Sequence, residues 1–183
     1  MPLPVINIYA RNYKDFTSEL RELKLKMISG EVNFEISKDS IKKFNTELKF
    51  IKKNFTNDII SGSIALNLFG LINRDISDID ILIKDESRYS RYNNHNYGDG
   101  EKLTPNRLGF IKFDYRKNFF SFKKTYEVDF FKDVGATFIE FEFDGIKLKA
   151  QHPIEIISQK MLMSKHHKHW RDLEIIFYKF GVL

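Results

Sequence analysis

Asp78 and Asp80 flank a single isoleucine in the stretch Asp78-Ile79-Asp80-Ile81-Leu82-Ile83. Side chains alternate across an extended strand, so the two aspartates share one face while Ile79, Ile81 and Ile83 turn toward a core. Neighbouring carboxylates resist ionising together unless a cation lies between them, and oxygen-only ligands suit Mg²⁺ or Mn²⁺. A bare pair of this kind is also what the solvated face of an edge strand looks like. The residues before it are what make metal chemistry worth pursuing.

Upstream, Asp58-Ile59-Ile60-Ser61 reads as a short buried strand and Gly62 as a turn, and Ser63 to Phe69 reads as a helix with Ile64, Ala65, Leu66, Leu68 and Phe69 apolar. Glycine lets a ligand approach the backbone, a serine at a helix start caps it or bonds a phosphate, and the free N–H groups there favour an anion. A triphosphate fits that description, and so does an ordinary helix cap.

Gly62-Ser63 followed fifteen positions later by Asp78-Ile79-Asp80 resembles the hallmark of the DNA polymerase beta-like nucleotidyltransferase superfamily. Arg74 and Ser77, just ahead of the aspartates, are similar to the basic and hydroxyl residues of its small bacterial members, which include abortive-infection toxin-like and minimal nucleotidyltransferases. The family pattern calls for a third carboxylate between apolar residues on a later strand, and Asp129 in Tyr126-Glu127-Val128-Asp129-Phe130-Phe131 meets it. Glu127 shares its strand face and is the competing choice. A Pro-led helix from Pro153 carrying Lys160, then Arg171-Asp172 opening the next helix, also resembles these members.

The resemblance covers residues 58–180 and implies an α/β (α+β) nucleotidyltransferase fold, a short mixed sheet flanked by helices. It implies Mg²⁺ (or Mn²⁺) held by Asp78, Asp80 and Asp129, with Asp129 also a choice for the base. Gly62 and Ser63 would cradle the triphosphate, and Arg74, Ser77, Lys160 and Arg171 would bind nucleotide. Lys160 reads equally as a surface lysine, and Arg171-Asp172 as a helix-start ion pair. The implied activity transfers a nucleoside monophosphate from a nucleoside triphosphate to a hydroxyl, with RNA such as a tRNA end the leading acceptor. A hydroxylated antibiotic, a partner protein, or a non-catalytic nucleotide- or nucleic-acid-binding module of the same fold are the alternatives. Toxin-like members imply an antitoxin partner.

The remaining elements must position these groups. Asp15 to Met27 and Ser40 to Phe55 each carry one apolar helical stripe, and Phe138–Phe143 and Ile146–Lys149 flank Asp144-Gly145 as a hairpin with one wet face. Leu3 to Tyr9 reads as a strand or an extended arm. Asp85 to Pro105 reads first as a long mobile loop without a direct role, and second as one whose interleaved tyrosines and arginines suit a single strand of nucleic acid. Lys165-His166-His167-Lys168-His169 reads as a basic inter-helix loop rather than a zinc site, since the histidines are adjacent and there is no cysteine.

The sequence divides into an N-terminal helical segment, 1–57, packing on a nucleotidyltransferase core with C-terminal helices, 58–183. With 183 residues, 42% hydrophobic and 18 Phe, the chain can bury a substantial core. No apolar run approaches the about 20 residues that cross a bilayer, and no signal layout opens the chain, so a cytoplasmic protein without membrane contact is expected. A net charge of +5 alongside an acidic site implies basic surface elsewhere, as a polyanionic acceptor would favour.

Overall fold

The computed structural model describes residues 15–93, 106–116, 122–163 and 167–183. The expected arm at Leu3–Tyr9 lies outside them, as do part of the expected basic loop (165–166) and part of the expected long loop (94–105). The described residues form a six-stranded mixed sheet and seven helices, the mixed sheet with helices that the sequence implies. The chain divides into two compact units. One comprises the segment ending at Asn33 together with Ile157–Leu183, and the other is Phe34–Ile156. Among the described residues no helix is long and apolar enough to cross a membrane.

The larger unit holds the sheet. Its strands are β1 (Ile59–Ser61), β2 (Ile79–Ile83), β3 (Arg107–Tyr115), β4 (Lys124–Lys132), β5 (Phe138–Phe143) and β6 (Ile146–Gln151), in the order β3-β4-β2-β1-β6-β5. β2 runs parallel to β4 and β1 parallel to β6, while the β1–β2, β3–β4 and β5–β6 pairs are antiparallel. Ile79, Ile81 and Ile83 of β2 and Val128 and Phe130 of β4 are at most 1% exposed, so the apolar phase read from the sequence is the core face.

Helix α3 (Asn45–Asn54) and the residue after it supply aromatic cover for that face. Phe50 stacks on Tyr126 at a centroid distance of 4.7 Å, and Phe55 meets Phe130 edge-on at 5.6 Å. The single helix expected over Ser40–Phe55 is two, α2 (Lys38–Lys43) and α3, broken at Phe44 with φ −98° and ψ 23°. The apolar stripe concealed the break because Phe44 is itself buried. α2 buries nothing, and α3 alone carries Leu48, Phe50 and Ile51 inward.

The expected long loop is in part a helix, α5 (Glu86–Asn93). Asp85 Oδ1 accepts the Ser87 N–H at 3.0 Å, Arg88 donates to Asp58 at 2.6 Å, and the Tyr89 ring packs 5.7 Å from that of Phe130. A polar turn of helix with two anchors needs no apolar stripe, which is why its composition read as loop. At the other end of the sheet, Asp144 (φ 48°) and Gly145 (φ 73°) form the left-handed pair that a two-residue hairpin demands, and β5 and β6 pair as expected.

The smaller unit contains α1 (Thr17–Ile28), α7 (His167–Lys179) and the second half of α6 (Pro153–Leu162). Phe16 packs against Trp170 and Phe177 at 5.7 and 5.3 Å, and Leu23 is fully buried, as the α1 stripe implies.

Candidate metal centre

β1 and β2 set the geometry. Ser61, the last residue of β1, lies opposite Asp80, and Asp80 in turn lies beside Asp129 in the parallel β2–β4 register. Residues side by side on neighbouring strands point to one face. The chain leaves β1 directly into α4 (Gly62–Leu68). Gly62 makes that exit with φ +61°, and a Cβ on it would fall 1.6 Å from Asp80 Oδ2. The Asp80 carboxylate therefore occupies the space that any side chain at 62 would fill. The sequence assigned this glycine to a ligand's approach, and in the structure the group that approaches is a carboxylate of the chain itself.

Asp78, Asp80 and Asp129 come together, each offering a carboxylate oxygen, with these atoms within 4.8 Å of one another. Asp129 is buried and the other two are half-buried. Three hard oxygen donors on one face, one seated on a glycine, match the donor set that Mg²⁺ or Mn²⁺ takes from protein. Glu127, the competing choice, shares the face of Asp129 but stands opposite Lys112 on β3, their charged atoms 3.9 Å apart.

Ser77 donates to Asp78 Oδ1 at 3.0 Å. Ser63 is not the helix cap that the sequence allowed. The N-cap is Ser61, and Ser63 stands inside the first turn, where its hydroxyl accepts from Arg74 Nη2 at 2.6 Å. Buried Asn67 holds that loop, accepting the Arg74 N–H at 3.2 Å and donating to the Ser63 carbonyl at 2.9 Å. Ser61 bonds across to β6, its hydroxyl donating to Gln151 at 2.5 Å, and Gln151 donates to Glu155 at 3.0 Å. Hydrogen bonds from Gln151 and Thr137 outweigh the burial that would raise Glu155, and hold its carboxyl below the usual range.

Lys160 and Arg171 belong to the smaller unit. Lys160 is buried, with its ammonium 3.0 Å from Asp172 and 3.1 Å from His169 Nδ1, and Arg171 is exposed on α7. The surface-lysine alternative is thus excluded for Lys160, whose partner is the aspartate read beside Arg171. Sequence reasoning missed Arg107. Its Nη2 and Nε lie 2.5 and 3.2 Å from Asp129 Oδ1. The available signal was Gly109, a lone glycine in a strand-forming run, which marks a bulge but does not say which side chain it redirects.

No protein-family model, curated protein or solved structure matches the chain.

Proposed function

We propose that the chain is a metal-dependent nucleotidyltransferase that moves a nucleoside monophosphate from a nucleoside triphosphate to a hydroxyl acceptor, with RNA the leading acceptor. The observation that supports it best is the convergence of Asp78, Asp80 and Asp129 beside Gly62. A glycine turn with a neighbouring carboxylate cluster is an arrangement suited to phosphoryl-group chemistry, in which positioning and charge compensation do most of the work.

In this reading Asp78 and Asp80 hold divalent cations against the triphosphate and Asp129 completes the donor set. A bound Mg²⁺ or Mn²⁺ supplies positive charge to the phosphates and makes the acceptor hydroxyl more acidic. The acceptor oxygen forms a bond to the α-phosphorus, the α–β anhydride bond breaks, pyrophosphate leaves, and the hydroxyl proton passes to the Asp129 carboxylate acting as base. Arg74, fixed by Ser63 and Asn67, offsets charge on the leaving phosphates, and Ser77 orients Asp78. The same reading assigns Lys160 and Arg171 to the donor nucleotide. The excess of basic residues, +5 overall, favours a polyanionic acceptor.

The test is incubation with α-labelled ATP, CTP, GTP or UTP, Mg²⁺ and total RNA. Label should enter RNA with release of pyrophosphate, and Asp78→Asn or Asp80→Asn should lower it by about a hundredfold or more, the scale of loss when charge compensation is removed. Labelling that survives both substitutions sinks the assignment. Unlabelled RNA together with a hydroxylated antibiotic that gains one nucleotide in mass replaces RNA as the acceptor. Tight nucleotide binding with no turnover on any acceptor leaves only the non-catalytic module.

A further inference from the structure

β3 changes register where it passes Asp129. From Tyr115 back to Gly109 it pairs regularly with β4, Phe110 opposite Asp129 and Gly109 opposite Phe130, and then Arg107 rather than Leu108 stands opposite Phe131. In an unbroken ladder Leu108 would share the face of Phe131 and Asp129, and Arg107 would point to the other side. One extra residue exchanges them, which is what a bulge does to a side chain. Gly109 makes it possible. Its φ is +148°, and a Cβ there would fall 1.9 Å from the Tyr89 hydroxyl of α5.

The bulge thus puts a guanidinium on the carboxylate face. Arg107 donates twice to Asp129 Oδ1 and its Cζ lies 5.9 Å from the centroid of the Phe110 ring. The Arg107 side chain is 15% exposed and that of Asp129 11%. Burying such a pair carries a desolvation cost, tolerated only where hydrogen bonds are well formed. Three carboxylates this close need positive charge nearby, and Arg107 brings it to Asp129.

We propose that Arg107 is a built-in counter-ion that holds Asp129 in the metal-free protein and competes with the divalent cation for it. The proposal rests on the cluster being a metal centre. A cation held by Asp129 would face the guanidinium that bonds the same carboxylate, and like charges a few ångströms apart would repel strongly enough to weaken binding by roughly tenfold even with generous screening. Arg107 therefore sets how much metal is needed to load the site, and keeps its third ligand in place until then.

The test compares wild type, Arg107→Gln, Arg107→Lys, Asp129→Asn and the Arg107→Gln/Asp129→Asn double variant. Mn²⁺ affinity is read from the electron paramagnetic resonance signal of the free ion, and thermal midpoints are measured with and without Mn²⁺. Arg107→Gln should bind Mn²⁺ roughly tenfold more tightly than wild type, the size of the repulsion removed. Its metal-free midpoint should fall, recover with saturating Mn²⁺, and show no such fall in the Asp129→Asn background. Arg107→Lys keeps the charge and should stay near wild-type affinity.

Equal or weaker Mn²⁺ binding by Arg107→Gln, with wild type binding normally, overturns the proposal and leaves the metal centre standing. A midpoint loss that Mn²⁺ does not restore overturns it too, in favour of a purely structural arginine. If wild type binds no more Mn²⁺ than Asp78→Asn, the metal centre falls and the competition falls with it. The metal-free double-variant comparison then still reports the Arg107–Asp129 coupling by itself.

Discussion

Gly62 carries the most demanding geometry in the candidate site. Its φ of +61° is costly for any residue with a side chain, and the Cβ position lies 1.6 Å from Asp80 Oδ2. Gly62→Ala should therefore either push the Asp80 carboxylate off the cluster or shift the end of β1. Urea denaturation should show a loss of about 1–3 kcal/mol, the usual cost of forced backbone strain. A Mn²⁺ titration should show at least about tenfold weaker binding, since one ligand is displaced. Unchanged stability and affinity would mean that Asp80 is not seated there. Asp129, on a later strand, was named through the family resemblance, and the Asp78–Asp80 pair was legible because strand alternation is a local rule that puts both on one face. Arg107 was not, because a bulge cancels that rule: the side that Arg107 faces depends on its pairing with Phe131.

Elements with local punctuation were readable and those anchored across the fold were not. Asp144-Gly145 announced its hairpin and Pro153 its helix, whereas no glycine or proline marks the break at Phe44 and the helix at Glu86–Asn93 is anchored by Arg88 and Tyr89 to Asp58 and Phe130. The start of α6 also depends on His152, which no local signal marks out. Its Nδ1 accepts the Ile154 N–H at 3.3 Å, and its ring meets Phe34 edge-on at 5.5 Å. Burial holds the imidazole below its ordinary value of 6.5 despite the opposing charge of Glu155. A depressed folded value means that the neutral ring contributes stability above the unfolded value, and this is lost as pH falls through the folded one. Protonation removes the acceptor at Nδ1 and places positive charge at the positive end of a helix. Stability should therefore fall between about pH 7 and 5, around and below the unperturbed histidine value, and His152→Asn, which keeps an acceptor, should flatten that part of the profile. Glu155 is lowered from 4.5 and titrates below this window. Asp58, raised by burial, contributes with the opposite sign. The difference between variant and wild type, rather than the wild-type profile, is thus the measurement, and identical profiles would remove His152 from the account.

At the scale of the whole molecule, an early and a late segment of the chain meet in one unit, with Phe16, just before α1, packed on Trp170 and Phe177 of α7. The same unit holds a buried ion pair: Lys160 and Asp172, 3.0 Å apart, with side chains 4% and 2% exposed. Sequence reading noticed both residues but had no means to pair them, since helical spacing fixes faces within a helix and not the partner across two. Removing one member of such a pair strands the other charge in an apolar setting, so Lys160→Met should cost about 3–5 kcal/mol in chemical denaturation. Replacing both by apolar residues, Lys160→Met with Asp172→Leu, should recover most of that loss, because burying the pair was itself expensive. That double variant also separates packing from chemistry. If it folds with near-native stability, binds Mn²⁺ as wild type does, and yet releases pyrophosphate far more slowly, Lys160 acts on the nucleotide as the proposed function has it. If turnover is unchanged, the lysine serves the fold alone and the donor phosphates must be met by Arg74 and other residues.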